Sequence, residues 1–358
     1  MKQTLSINSR QLGNGQPVLI IAELSANHNG SYEKAEALML AAKESGAEAV
    51  KLQTYTPDTM TLDSNAAPFV IQGGTPWDGK TLHELYQDAY TPWEWHVGLV
   101  QKARELGLIF FSTPFDETAV DFLEKLQVPC HKVASFEIVD IPLLKKIAST
   151  GKPVIMSTGM ASLAEIEEGV NTLRKYGTTD IVLLKCTSSY PAPPEEANLR
   201  TIPNMAKAFD CLTGLSDHTM GSAVAVAAVA LGACLIEKHF TLARADGGPD
   251  SAFSMEPHEF RQMVQDIRIA EKALGRVSYE LTENEKKSIV FRRSLFVVED
   301  VKKGELFTEK NVRSIRPGYG MHTRFFTEIT GKPAATDIKK GTPLAWDLIA
   351  PTDDRITR

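Results

Sequence analysis

Three ionisable residues in a row, Glu237, Lys238 and His239, close the otherwise apolar run ACLIEKHF. Burying charges without partners is costly, so a core strand that ends this way implies that these side chains have something to hold. A second imidazole, His218, closes CLTGLSDH, the strand-like run that comes before it. Two imidazoles on the ends of neighbouring strands are a donor set for one divalent first-row metal, with positions left open for water and substrate. In that reading Asp217 and Glu237 are available to orient the rings; in the alternative, each histidine only hydrogen-bonds a nearby carboxylate. Lys51, Thr113, Lys132, Ser135, Ser157 and Ser216 form a second constellation, again at strand ends. Lysines supply point charge and hydroxyls supply donors, the ingredients for holding a phosphate and a carboxylate together. Lys132 or Lys185 could instead form a Schiff base, which would make the protein a class I aldolase.

These residues need a scaffold that gathers strand ends. Eight β-rich runs recur: 18–24, 49–54, 109–115, 130–135, 153–158, 181–187, 211–218 and 234–240. Helical patterns lie between them, such as SYEKAEALMLAAKESG, TPWEWHVGLVQKARELG and SLAEIEEGVNTLRKYG, the first and second closing on Gly46 and Gly107. Thr91 and Pro92 read as the cap and first turn of the second of these helices. Most strand starts fall 20 to 31 residues apart, the length of a strand, a helix and two short loops. Residues 55–90 break that rhythm and read as an insertion. Eight βα units in succession predict a (β/α)8 TIM barrel, an α/β fold whose C-terminal face carries the active site. No glycine-rich dinucleotide loop follows the first strand, which disfavours an open doubly wound sheet.

The expected organisation is a barrel over 1–275, a linker over 276–290 and a small, mainly β domain over 291–358. In that last domain EDVKKGELF and TDIKKGTPL repeat the pattern D-(V/I)-K-K-G, a sign of internal pseudo-symmetry. The net charge of −6 gives no reason to expect nucleic acid or a membrane as partner, although a local cationic pocket is compatible with it. No apolar stretch approaches the roughly 20 residues that span a bilayer, and the polar start lacks the apolar core of a signal peptide. A cytoplasmic protein is expected, and Cys130, Cys186, Cys211 and Cys234 read as buried thiols of a reducing compartment.

The motifs IIAELSANHNG, AVKLQTYTPDTMTL, FFSTPFD, HKVASFE, VIMSTGM, LLKCTSSYP, GLSDHTMG, EKHF and GGPDSAFSM occur in this order. Together they resemble the sialic acid synthase family, whose members condense phosphoenolpyruvate with an N-acetylated amino sugar. The tail RRSLFVVEDVKKGELFTEKNVRSIRPGYGMH is similar to the antifreeze-like (SAF) domain of that family, and the resemblance spans roughly residues 15 to 350. It implies that His218 and His239 hold a divalent metal, usually manganese. It implies that Lys51, Thr113, Lys132, Ser135, Ser157 and Ser216 form the phosphoenolpyruvate pocket, that Gln53 and Tyr190 line the site, and that Glu23 and Asp250 handle the acceptor sugar. Ser188 stands where the CTNxYP motif of sialic acid synthases has Asn. Arg316, in the RPG motif, matches an arginine that reaches the partner's site, which implies a swapped homodimer. The spellings ELSANHNG and KLQTYTPDTMTL and the GG…W insert resemble the branch acting on 2,4-diacetamido-2,4,6-trideoxy-altrose. N-acetylneuraminate and legionaminate synthesis, the same chemistry on other sugars, are the alternatives.

Overall fold

A computed structural model describes residues 4–74 and 77–351. The chain divides into two compact units, Met1–Gly275 and Arg276–Arg358.

In the first unit a short antiparallel hairpin, β1 (Thr4–Ile7) and β2 (Arg10–Gly13), precedes the barrel. Eight parallel strands then close on themselves: β3 (Leu19–Glu23), β4 (Ala49–Thr54), β5 (Ile109–Pro114), β6 (His131–Val133), β7 (Val154–Ser157), β8 (Ile181–Cys186), β9 (Leu212–Asp217) and β10 (Leu235–His239). All eight predicted strands are present within a residue or two of the expected ends. The outer helices are α1 (Tyr32–Glu44), α4 (Trp95–Leu106), α5 (Glu117–Lys125), α6 (Ile141–Ala148), α7 (Leu163–Tyr176), α8 (Thr201–Phe209), α9 (Ala223–Ala230) and α10 (Pro257–Leu274). The insertion after β4 carries two more, α2 (Pro57–Met60) and α3 (Leu82–Ala89).

Local signals set the helix ends. Ser31 caps α1 by accepting the Lys34 amide, and a Ser162/Glu165 capping box opens α7. Gly107 ends α4 in the left-handed region at φ 64°. That helix starts at Trp95 and not at Thr91; the Thr91 hydroxyl is instead 3.1 Å from His28 Nε2, so tertiary bonding competes successfully with capping.

Strand alternation divides the core. Leu19, Ile21, Ala49, Phe111, Ile155, Val182, Leu184 and Leu235 fill the lower barrel interior. The opposite face of each strand, with residues such as Ile20, Val50, Leu52 and Ile236, packs on the helices. Gly214 leaves room inside: a Cβ there would lie 2.5 Å from the Leu235 carbonyl oxygen and 2.8 Å from Leu184 Cδ2.

The second unit holds α11 (Glu283–Ser288), the antiparallel pair β11 (Ser294–Val297) and β12 (Val312–Ile315), and α12 (Phe326–Ile329) around a core that includes Leu295, Phe307, Ile329 and Leu344. The two D-(V/I)-K-K-G segments pair with each other. Val301 and Ile338 exchange backbone hydrogen bonds of 2.9 and 2.8 Å. Asp300 faces Lys339 at 2.8 Å, and Asp337 faces Lys302 at 3.0 Å. The sequence repeat is therefore a local two-fold in space.

Candidate active site

The inward positions change character at one level of the barrel. Below it they are the apolar side chains just named. Above it they are Glu23, Lys51, Gln53, Thr113, Lys132, Ser157, Cys186, Ser216 and Glu237, with the two histidines at the top. Strand register fixes their neighbours: His239 lies beside Glu23, and Glu23 beside Lys51. Gln53 lies beside Thr113.

Lys51 is the centre of the charged layer. Its Nζ is 2.6 Å from Glu23 Oε2 and 3.7 Å from Glu237 Oε1, and it donates to Thr113 Oγ1 at 3.2 Å. Lys132, buried on the next strand but one, donates to Ser157 Oγ at 2.7 Å and to the Val133 carbonyl at 2.9 Å. Ser216 donates to Glu237 Oε1 at 3.3 Å. Burial raises the Glu23 carboxyl to about 7, against the pull of Lys51 and with the push of Glu237. Burial and the neighbouring Lys51 lower Lys132. Glu237 also meets a burial cost, but Lys132, Lys51 and His218 outweigh it and hold its carboxyl low. The mouth therefore carries two lysines against one firmly ionised carboxylate and a second that titrates near neutrality, a field that favours an anion.

Several polar atoms here are left for a ligand. Both Glu23 oxygens lack a well-aligned hydrogen bond despite the short ion contact with Lys51, and Glu237 Oε2 and Ser188 Oγ have no partner among the described residues. Ser135 Oγ accepts the Gly159 amide at 3.1 Å. A Cβ at Gly159 would lie 2.1 Å from Ser188 Oγ and 2.6 Å from Ser135 Oγ. Gly159 thus lets two hydroxyls and a backbone amide crowd together beside the lysines, a cradle for anionic oxygens that sequence reading did not identify. The signal was the glycine following Ser157 and Thr158, a backbone that must be approached closely.

His218 and His239 meet at the top, their ring centroids 5.3 Å apart. His218 Nδ1 donates to the Thr187 carbonyl at 2.8 Å, so Nε2 is the nitrogen left for a cation. His239 Nδ1 is 3.2 Å from Ser25 Oγ. Burial and the charge of His218 hold His239 well below the usual imidazole range, so it is a neutral donor. No group of three or more His, Cys, Asp or Glu side chains able to hold a metal occurs among the described residues. Burial lowers the His218 imidazole, but Cys186 and the Thr187 carbonyl outweigh it and raise it; the pair therefore fits a cation that binds with loss of the His218 proton, its remaining positions filled from outside the protein. The rings are oriented differently from the sequence reading. Asp217 alternates to the outer face, where it binds Lys238 at 2.7 Å, and Glu237 binds Ser216.

Aromatic rings wall the pair. Tyr190 lies 4.3 Å from the His218 ring and 5.0 Å from Phe253, which itself lies 5.0 Å from His239. Phe253 is a site residue that sequence reading missed, a buried ring in the loop after β10. Asp250, on the same loop, accepts the Ala26 amide at 3.2 Å, and burial raises its carboxyl. The rest of NHNG is scaffolding. Asn27 donates to the Phe240 carbonyl and to Ser254 Oγ, both at 2.9 Å, and Asn29 donates to the Gly247 carbonyl at 3.0 Å. Lys185 alternates to the outer face of β8 and donates to the Cys186 carbonyl at 2.7 Å, so of the two Schiff-base candidates only Lys132 faces the mouth. Arg316 belongs to the second unit, just after β12, and is exposed there. The four cysteines are buried, and no described helix is long and apolar enough to cross a membrane.

The NeuB family pattern matches residues 38–279 and the SAF domain pattern residues 292–350. The chain belongs to the NeuB family. This NeuB-family chain is 47% identical to the pseudaminic acid synthase of Helicobacter pylori over 335 residues, 93% of this chain and 98% of the relative. It is 40% identical to the N,N'-diacetyllegionaminic acid synthase of Campylobacter jejuni over 326 residues, 90% of this chain and 97% of the relative. Among solved structures, the N-acetylneuraminic acid synthetase of Leptospira borgpetersenii superposes with a TM-score of 0.72 at 31% identity, covering 80% of this chain and 95% of that one.

Proposed function

We propose that this NeuB-family chain condenses phosphoenolpyruvate with 2,4-diacetamido-2,4,6-trideoxy-altrose, giving pseudaminic acid and inorganic phosphate. The observation that carries the reaction class is the two-level mouth. A lysine–hydroxyl cup lies below, and a pair of imidazoles with ring centroids 5.3 Å apart lies above. The choice of sugar is supported by the higher identity to a pseudaminic acid synthase than to a legionaminic acid synthase.

Lys51, Lys132, Thr113, Ser135, Ser157, Ser188 and Ser216 hold the phosphate and carboxylate of phosphoenolpyruvate, and fixed orientation supplies much of the rate. His218 and His239 would hold a divalent cation, manganese in this reading, which would supply Lewis-acid polarisation of the acceptor aldehyde. C3 of phosphoenolpyruvate attacks the aldehyde carbon, water adds at C2, and phosphate leaves by C–O cleavage. Glu23, Gln53 and Asp250 bind the sugar's polar groups, and Tyr190 covers one side of the metal-binding histidines. Arg316 of the partner subunit completes the site in a swapped homodimer, and the enzyme works in the cytoplasm.

The test is phosphate release from phosphoenolpyruvate with Mn2+ and a panel of acetamido sugars. The altrose derivative should give the highest kcat/KM, and EDTA should abolish release until a divalent metal is restored. Release with no acetamido sugar, or a borohydride-trapped keto-acid adduct on Lys132, would overturn the reading.

A further inference from the structure

The β3 side still pairs His239 with Glu23, but between β9 and β10 the two histidines stand just past the last rung, so no direct backbone pairing sets their separation. Glu237 registers with Ser216 and Lys238 with Asp217, and no further pair follows. On the outward face at that last rung, Lys238 Nζ contacts Asp217 Oδ2 at 2.7 Å and also donates to the Thr219 carbonyl. Asp217 Oδ1 accepts the Thr219 amide at 2.9 Å and the Thr219 hydroxyl at 2.8 Å. Lys238 is therefore tied to the residues on both sides of His218, and it directly precedes His239 in the chain. One ammonium group connects the backbones that carry both rings.

This ion pair sits where stability gives little reason for it. Both side chains are 1% exposed. Their neighbours on that face include the apolar Leu215, Ile236 and Phe240, in the core between strands and helices. An apolar pair of similar volume in such a place is often as stable or more so, and retained buried ion pairs are best explained where they fix a geometry. Glu259 on α10 is the other charge that bears on Lys238, and it is itself bonded to Arg244 at 2.5 Å. Neither Asp217 nor Lys238 faces the mouth, so neither touches substrate.

We infer that Lys238, with Asp217 and Thr219, is a positioning device that sets the spacing of His218 and His239 and thereby the affinity for a divalent cation. This rests on the reading of the two histidines as cation ligands. Residues that orient metal ligands typically change affinity by about 10–100-fold when altered.

The experiment uses the full-length protein and Mn2+ alone, with free Mn2+ followed by its paramagnetic resonance signal. Asp217→Leu/Lys238→Met replaces the pair by apolar side chains, Asp217→Asn removes only the negative charge, and His239→Ala is the control. The double variant should keep its unfolding midpoint and bind Mn2+ about 10–100-fold more weakly. Asp217→Asn should weaken binding in the same direction, and raising Mn2+ should restore turnover to both. Should the double variant fail to fold, Asp217→Asn carries the test. An Mn2+ affinity within about twofold of the native protein in the folded variants, with binding lost in His239→Ala, would overturn the positioning role while leaving the cation site intact. Undiminished binding in His239→Ala would instead remove the cation site, and the positioning role with it.

Discussion

Replacing Glu23 with glutamine tests the electrostatics of the mouth with almost no change of shape. Glu23 is buried, with Lys51 at 2.6 Å and Glu237 sharing the same lysine at 3.7 Å. Its carboxyl is raised from 4.5 to about 7, first because burial penalises the anion and then because Glu237 repels it, with Lys51 opposing both. Between those two values the folded protein keeps a proton that the unfolded chain has released. Folding stability therefore falls as pH rises through the window: the contribution of neutral Glu23 is fully present below 4.5 and is lost above about 7. At about 1.36 kcal/mol per pH unit the whole displacement is worth about 3 kcal/mol, and most of it falls between pH 5 and 8.

The glutamine side chain has no proton to release in this range, so the difference between variant and native protein isolates this group from the other titrations. The Glu23→Gln variant should gain stability relative to the native protein by about 2–3 kcal/mol on going from pH 5 to pH 8. Urea unfolding of both proteins at pH 5, 6, 7 and 8 measures it. The offset at any one pH also contains the altered partner of Lys51, so the slope is the diagnostic quantity. A flat difference across the range would refute the argument that burial outweighs the lysine at this site. Kinetics of the same variant separate two roles: a proton-transfer role costs kcat, whereas a sugar-binding role raises KM.

Two further outcomes are expected. Arg316→Ala should lower kcat/KM by about 100-fold or more without moving the unfolding midpoint, and mixed with the inactive His239→Ala protein it should recover measurable activity. Failure to recover activity in the mixture would refute an arginine acting in the partner's site. Gly214→Ala should destabilise the barrel by about 1–3 kcal/mol, read as a lower urea midpoint, because its Cβ would press on the Leu235 carbonyl oxygen. An unchanged midpoint would refute that packing argument.

The barrel was legible because each of its strands combines an apolar start with a polar end, and the two faces of a strand follow from alternation alone. What alternation did not tell, before the register was known, was which polar end faced in. Ser112 bonds Thr54 behind the strands at 2.7 Å, and Asp217 and Lys238 bond each other. Some of the polar strand ends thus hold the wall and not the ligand. The β1–β2 hairpin went unread because its strands are short and mixed in polarity. Gly159 and Phe253 went unread because their importance lies in what approaches them across the barrel, a property of three-dimensional neighbours.

The pattern of unmet polar groups then acquires a physical meaning. A protein interior rarely leaves carboxylate and hydroxyl atoms without partners, because each costs desolvation that nothing returns. Here Glu237 Oε2 and Ser188 Oγ have no partner and the Glu23 oxygens have only the ion contact with Lys51, all at one level of the barrel. The adjacent lysines hold positive charge there, and the lower interior beneath them is apolar. Strain of this kind persists where a ligand relieves it, and the ligand that fits is one with anionic oxygens for the lysines and hydroxyl donors for the carboxylates. Neither phosphoenolpyruvate nor an acetamido sugar alone supplies both. Occupancy by the pair together satisfies the set, so the two substrates should bind with mutual reinforcement, each removing part of the desolvation cost that the other would otherwise meet.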